Sequence, residues 1–364
     1  MLKEMKSAIC AVGLAGMIAL ATVTEASAIF GGRTAPPRAY PFMVSMHIQK
    51  AGSTYLCGGS LIAQDWVLTA AHCLKGVTSP NDVRLFVGSD KRWDGDNIVA
   101  SQFWVHPGFN DLLDNDIALV HMARPPSAAL KISPIKLSTD PRRYEDLAPN
   151  NDPLSPAGAG ALLRNIHREV KVAGWGVTSP TKTNAHVAEM LQVIDLRVSK
   201  RQFCEVRWTL PRLENLQNKF SSFGLSHQQV RELMNVVMTR TPHVVPAGTL
   251  CASSLVDMFG DPVGSGLIGT MFGRGPEYVR EIWLPDNLQL AIERIPLTID
   301  PGNCPGDSGG PLFETTSDGS FLQVGIVSFG IGGDTIDCGS ANAPSAYTDV
   351  AAFDAWIRSV MSNR

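Results

Sequence analysis

The sequence has little net charge, no C-x-x-C pair, no internal repeat and, beyond residues 1–28, no long apolar run. Each absence closes off a class of function. Thirty-one Lys and Arg against 34 Asp and Glu leave a formal charge of −3, too weak a balance to suggest nucleic acid or anionic membrane as a partner. Without C-x-x-C spacing, structural zinc loses its usual signature, and no metal is expected. With no later apolar stretch of about 20 residues, no helical anchor is expected after residue 28.

The apolar run that is present lies at the start. Lys3 and Lys6 precede a stretch from Ala8 to Val23, and Ala26-Ser27-Ala28 follows it. This layout predicts a secretory signal peptide over residues 1–28, cut after Ala28, and a secreted protein, extracellular or periplasmic. Cys10 would leave with that peptide. Cys57, Cys73, Cys204, Cys251, Cys304 and Cys338 remain, an even set that suggests three disulfides, although six cysteines allow 15 pairings.

Short β-prone runs separated by Gly, Pro, Asn and Asp recur along the chain: Phe42–His47, Ser60–Leu68, Val83–Val87, Ile117–Val120, Val170–Val177 and Leu322–Ser328. They predict an all-β sandwich or barrel rather than a parallel sheet. Two helices are expected as well. Ser226 and Gln229 form a capping-box pattern ahead of Val230, Leu233, Met234, Val237 and Met238. Val350, Phe353, Trp356, Ile357, Val360 and Met361 form a second stripe near the C-terminus. Both stripes are expected to face the core. Residues 139–169 read as a loop excursion, 205–247 hold the first helix, and 252–300 carry a possible hairpin, Glu277–Leu284 with Leu288–Ile295. GSGLIG at Gly264–Gly269 fits a dinucleotide-binding pattern, but it lacks a strand–helix context, and no cofactor is expected.

The chemistry is concentrated in three places. GNCPGDSGGP, Gly302–Pro311, sets Ser308 among glycines that let a substrate backbone approach, and the N–H groups of Gly306 and Ser308 can form an oxyanion hole. TAAHC supplies His72, and DNDIALV supplies Asp116. A serine needs a base to become nucleophilic, and a histidine base needs a carboxylate to hold its tautomer. Each residue alone has an ordinary structural explanation; together, in these settings, they make a triad. GDSGG also fits the nucleophile elbow of lipases, whose histidine follows the serine. Here the last histidine is His243, so that fold is excluded.

These motifs, with IFGG (Ile29–Gly32), YPFMVSM, CGGSLI, VAGWG, VSFG and YTDV, resemble the trypsin/chymotrypsin family of serine peptidases. The resemblance covers nearly all of the chain outside the three stretches named above. It implies two antiparallel six-stranded β-barrels with a C-terminal α-helix and extra loop and helix insertions. The N-terminal barrel would occupy residues 29–145 and the C-terminal barrel 146–364, with insertions at about 205–247 and 252–300. It implies the pairings Cys57–Cys73, Cys204–Cys251 and Cys304–Cys338. It places Ser328 near Asp116, and Gly302, Ser328, Gly330 and Ser345 around the substrate pocket. Asp94, Asp96 and Asn97 offer oxygen ligands for calcium, but the family's usual spaced glutamates are missing and a solvated turn explains them.

Gly302 stands where trypsin-like members carry a pocket-floor aspartate. A buried cationic side chain would lack a counter-charge there, so cleavage after uncharged residues, apolar or aromatic, is expected. Asp300 and Asp334 are the residues that could still reach the pocket. Pro305 at the pocket rim and Phe329 in place of a tryptophan depart from the pattern. The family's activation step frees an ammonium at the residue matching Ile29, which pairs with the residue matching Asp307. Its activation bond usually follows a basic residue, yet none lies between Lys6 and Ile29. Removal of the signal peptide is therefore expected to create the active terminus directly. The expected partners are protein or peptide substrates of a monomeric enzyme. The competing reading is a catalytically silent relative acting as a secreted binding or adhesion module.

Overall fold

The computed structural model describes residues 29, 31–144, 168–177, 186–199, 222–226, 228–230, 232–233, 248–253, 302–330 and 345–363. The possible hairpin within 252–300, the GSGLIG segment, Asp300, Asp334, Cys204 and Cys338 lie outside these residues, as do most of the 139–169 excursion and of the 205–247 stretch.

Strands β2 (Met43–Lys50), β3 (Ser53–Ala63), β4 (Trp66–Thr69), β5 (Val83–Val87), β6 (Asp96–Val105) and β7 (Ala118–Met122) close into an antiparallel barrel in the order β2-β3-β4-β7-β6-β5. Its interior is lined by Val44, Met46, Ile48, Leu68, Leu85 and Val120, all essentially inaccessible. The β2–β3 hairpin turns on Ala51 and Gly52, both at positive φ, which matches the twist of the flanking strands. The sequence suggests one strand over Ser60–Leu68; the structure folds it into a hairpin in which Ala63 faces Trp66 across Gln64 and Asp65. Both arms carry strand-forming apolar residues, and only the polar pair Gln64-Asp65 interrupts the run at the bend.

The second barrel joins β9 (Arg168–Gly174), β10 (Gln192–Ser199), β11 (Thr249–Ser253), β14 (Ser345–Asp349), β13 (Phe321–Phe329) and β12 (Pro311–Thr315), with β12 returning to β9. Two short strands cross over from the N-terminal part of the chain: β1 (Arg33–Thr34) pairs with β10, and β8 (Lys136–Leu137) pairs with β13. In the other direction, the helix Asp354–Ser362 sends Ile357 into the first barrel's core, beside Phe353 and Val350. Between the barrels Tyr40, Phe42, Phe313 and Phe321 pack edge to face or tilted, with Phe42 and Phe313 centroids 5.2 Å apart. A buried hydrogen bond from Ser60 Oγ to Gln323 Oε1, 2.6 Å, crosses the same seam.

The capping box forms as expected. Ser226 N donates to Gln229 Oε1 at 2.9 Å, and Gln229 N donates back to Ser226 Oγ at 3.4 Å. Val230 is buried and Leu233 is 39% exposed; Met234, Val237 and Met238 lie outside the described residues.

Candidate active site

Asp116 ends the loop that feeds β7 and is completely buried. Its Oδ1 accepts from His72 N at 2.8 Å, and its Oδ2 lies 2.8 Å from His72 Nδ1. A carboxylate at Nδ1 keeps the proton on that nitrogen and leaves Nε2 free to accept one. Ser328 Oγ donates to the same Oδ2, and Thr348 Oγ1 donates to the Asp116 carbonyl at 2.9 Å. The first barrel thus provides His72 and Asp116, while β13 and β14 of the second hold Asp116 in place. His72 sits in a single-turn helix, Ala71–Leu74, tied to β3 by the Cys57–Cys73 disulfide. That bridge closes a 16-residue separation, for which chain entropy suggests about 3 kcal/mol.

Ser308 lies on a loop clamped from both sides. Its carbonyl accepts from Gly58 N at 2.7 Å and lies 3.6 Å from Cys73 Sγ, which sets the residue beside the His72 turn. Gly309, at φ +81°, donates to Val327 O at 2.8 Å, and a Cβ there would fall 2.2 Å from Thr69 Oγ1. Glycine is therefore required to lodge the loop against β4. Gly306 has φ +99°, and a Cβ on it would meet Gly176 Cα at 2.9 Å and Leu56 Cδ2 at 3.2 Å.

Asp307 points away from Ser308 into the second barrel. It is fully buried and accepts from Gly176 N at 2.8 Å and Cys304 N at 2.9 Å. Burial pushes its carboxyl up to about 7, against the lowering effect of those two N–H groups. Gly174 and Gly176 make room for it, since a Cβ on either would come within 2.6 Å of the carboxylate. This is the physical meaning of VAGWG, a motif visible in the sequence whose role was not. Ile29 is fully buried in the core of the same barrel, among Val170, Val172, Ile194 and Tyr347.

The pocket positions also converge. A Cβ on Gly302 would lie 3.5 Å from Ser345 Oγ, and one on Gly330 would lie 3.8 Å from it. Ser328 instead turns its hydroxyl to Asp116. Tyr347, one strand position beyond Ala346, donates to Asn303 Oδ1 at 2.9 Å and braces the pocket loop. Cys251 and Cys304 are both disulfide-bonded; the expected partners, Cys204 and Cys338, lie outside the described residues. Cys57, His72 and Cys73 cluster tightly enough to suggest a metal site, but the two sulfurs are joined to each other and offer no thiolate. The Asp96 carboxylate is engaged by Arg124 and by Ser127 N, and the Arg124 hydrogen bond holds its pKa below the usual carboxylate range.

A family profile described as Trypsin matches residues 29–220 and 292–357. Duodenase-1 from Bos taurus is 31% identical over 201 residues, covering 53% of this chain and 68% of that protein. Mast cell protease 3 from Ovis aries is 30% identical over 194 residues, covering 52% and 66%. The suppressor of tumorigenicity 14 protein homolog of Bos taurus is 28% identical over 346 residues, which is 92% of this chain but 28% of that much longer protein. The chain therefore spans about two thirds of the length of the two smaller relatives. Two closed six-stranded barrels, a buried aspartate on the His72 ring and these matches agree, and the chain belongs to the trypsin family of serine-type endopeptidases.

Proposed function

We propose that this protein is a secreted endopeptidase that cuts after uncharged residues, with Ser308 as nucleophile, His72 as base and Asp116 as the group that orients and stabilises the base. The observation that carries this reading is the buried Asp116 carboxylate on His72 Nδ1, which leaves Nε2 as the proton acceptor. Ser308 Oγ attacks the scissile carbonyl while its proton passes to Nε2. The imidazolium is stabilised by Asp116 and then protonates the leaving amine. The N–H groups of Gly306 and Ser308 receive the oxyanion, one such donor being worth about 3–4 kcal/mol to the transition state. Water, activated by the same histidine, releases the acyl group.

The pocket reading rests on Gly302, Gly330 and Ser345, which bring a hydroxyl and two hydrogen-bearing α-carbons together and no charge. The activation reading rests on A-S-A abutting Ile29 and on the burial of Ile29 beneath the Asp307 barrel. Cleavage after Ala28 would supply both export and the ammonium that pairs with Asp307, with no separate zymogen.

The test is the secreted wild-type protein, with no added activating protease, on a mixed peptide library beside Ser308→Ala and Asp116→Asn. Cuts after apolar or aromatic residues are expected, abolished in Ser308→Ala and reduced about 10⁴-fold in Asp116→Asn. Cuts after Arg or Lys would overturn the pocket assignment. No cleavage by a wild-type chain starting at Ile29 would overturn the peptidase reading itself.

A further inference from the structure

A second serine–histidine–aspartate chain lies at the other end of the strands that carry the first. Strands β4 and β7 pair antiparallel, with Thr69 opposite Ala118 at the active-site end and Trp66 opposite His121 at the far end. Three residues at about 3.3 Å each separate the two ends, so the far end lies about 10 Å from the active-site end. There His121 Nε2 lies 3.0 Å from Asp65 Oδ2, and His121 Nδ1 lies 2.7 Å from Ser101 Oγ. The imidazole is nearly buried and its plane is held by the Trp66 ring, 4.9 Å away and perpendicular to it.

Ser101 reaches this position through a backbone irregularity. The β6–β7 register runs Ala100 to Met122 and then Gln102 to His121, so Ser101 is the extra residue of a bulge. A bulge re-aims one side chain while the ladder continues on both sides. The re-aimed hydroxyl is exposed to solvent and turned onto the imidazole. With Asp65 accepting from Nε2–H, Nδ1 carries the lone pair that can take the serine proton.

We propose that Ser101 is a second nucleophilic serine, a covalent acceptor site for acyl or phosphonyl groups from activated esters, with His121 as base and Asp65 as its positioning residue. Ser101 Oγ forms a bond to the carbonyl carbon or phosphorus of the ester. Its proton passes to His121 Nδ1, and the bond to the leaving aryloxide or fluoride breaks with the electron pair going to that group. The proton then leaves to solvent and the imidazole returns to neutral. Ser101 Oγ also lies 3.2 Å from His121 O and 3.3 Å from Met122 O, which surround it with acceptors. Among the described residues no backbone N–H is directed at Oγ, so neither acylation nor release by water has an oxyanion donor there. The site is therefore expected to accept and release groups far more slowly than the Ser308 centre.

The experiment uses the full secreted chain carrying Ser308→Ala, so that the principal nucleophile is absent. It is treated with p-nitrophenyl acetate and, separately, with an alkyl fluorophosphonate, and adducts are located by intact mass and peptide mapping. One adduct at Ser101 is expected with each reagent. It should form about 10²-fold faster than at the exposed reference Ser359, a factor typical of a positioned general base. His121→Gln should remove that advantage, Asp65→Asn should reduce it, and Ser101→Ala should abolish the adduct. Circular dichroism melting checks the fold of each variant, and Asp65→Asn serves if His121→Gln does not fold. In the Ser308-intact chain, Ser101→Ala should cleave peptides at the wild-type rate. Labelling of Ser101 no faster than Ser359, or a rate indifferent to both His121→Gln and Asp65→Asn, would overturn the proposal and leave the three residues as a structural link between β6, β7 and the β3–β4 turn.

Discussion

Asp307 is the residue at which the proposed activation and stability meet. Burial lifts its folded pKa to about 7, whereas an unfolded aspartate titrates near 3.9. A carboxyl whose folded pKa is raised binds its proton more tightly in the native state, so stability falls as pH rises from about 4 to above 7. The separation of about three units corresponds to something on the order of 4 kcal/mol. While residue 28 remains attached, the nitrogen of Ile29 is an uncharged amide and offers Asp307 no ion pair. Once freed, its ammonium would favour the charged carboxylate and reverse that penalty. The raised pKa expected of this amine then leaves its stabilisation intact below about 7.7–8.0, and the stabilisation is lost as pH climbs through the raised value. Melting temperatures across pH 4–9 check this for a chain blocked at Ala28 and for the chain starting at Ile29. The blocked form should soften steadily toward pH 8, and the processed form should hold to about pH 8 and then decline. Parallel curves would rule out the pairing. Much of this residue chemistry was legible beforehand. His72, Asp116 and Ser308 stand out because nucleophilic catalysis tolerates few alternatives to them. The roles of Thr348 and of Gly174 were not legible, because a hydroxyl on a distant strand and a missing Cβ acquire meaning only when the fold brings them to Asp116 and Asp307.

The shortest elements are those that local pattern could not reveal. Val83–Val87 is bounded by turns and is read with its true limits, and the Ser226–Gln229 capping box forms as its spacing predicts. Strand β1 has two residues, too few for any period to register, yet it leads directly from the buried Ile29. It is held by backbone pairing with β10 and by side-chain contacts. Arg33 donates to Asp195 at 2.6 Å, Lys171 contacts the same carboxylate, and Gln192 Nε2 reaches Thr34 Oγ1 at 3.2 Å. Burial alone would raise the Asp195 pKa, but the hydrogen bonds from Arg33 and Lys171 outweigh it and hold it low. Stabilisation from such a group is present above its unfolded pKa and lost as pH falls through the folded one. The pair is half exposed, so Asp195→Asn should cost no more than about 1 kcal/mol of global stability. That amount, acting on a two-residue strand, shifts local opening by about fivefold. In the processed chain, carbamylation of the terminal amine should therefore accelerate up to about fivefold in Asp195→Asn, with the melting temperature almost unchanged. An unchanged carbamylation rate would mean that the N-terminal segment is held by its backbone pairing and the burial of Ile29 alone.

At the scale of the whole molecule, the two barrels are interleaved rather than strung in sequence. His72 and Asp116 belong to the first, Ser308 and Ser328 to the second, and β1 and β8 cross one way while the final helix crosses the other. No linear division of the chain expresses this, which is why the sequence announces two barrels but not how they lock. Separating them would expose the Tyr40–Phe42–Phe313–Phe321 cluster and leave Ser60, Gln323 and Asp116 without the partners that satisfy them across the seam. A buried polar group stripped of its partner costs about 1–3 kcal/mol. The barrels should therefore unfold together. Ile357 tests this, because its side chain is nearly inaccessible and fills the first barrel's core although it is attached to the end of the second. Ile357→Ala should destabilise by about 2–5 kcal/mol through the cavity it leaves. In urea, Trp66 and Trp104 fluorescence reports the first barrel, and Trp175 reports the seam when each is kept with the other tryptophans replaced by Phe. Both probes should shift to the same lower midpoint with an unchanged slope. Activity per titratable Ser308 should stay at the wild-type level, since no catalytic group touches Ile357. A first-barrel probe that moved alone would show that the barrels unfold as separate units and that the seam aligns the triad without coupling their stability.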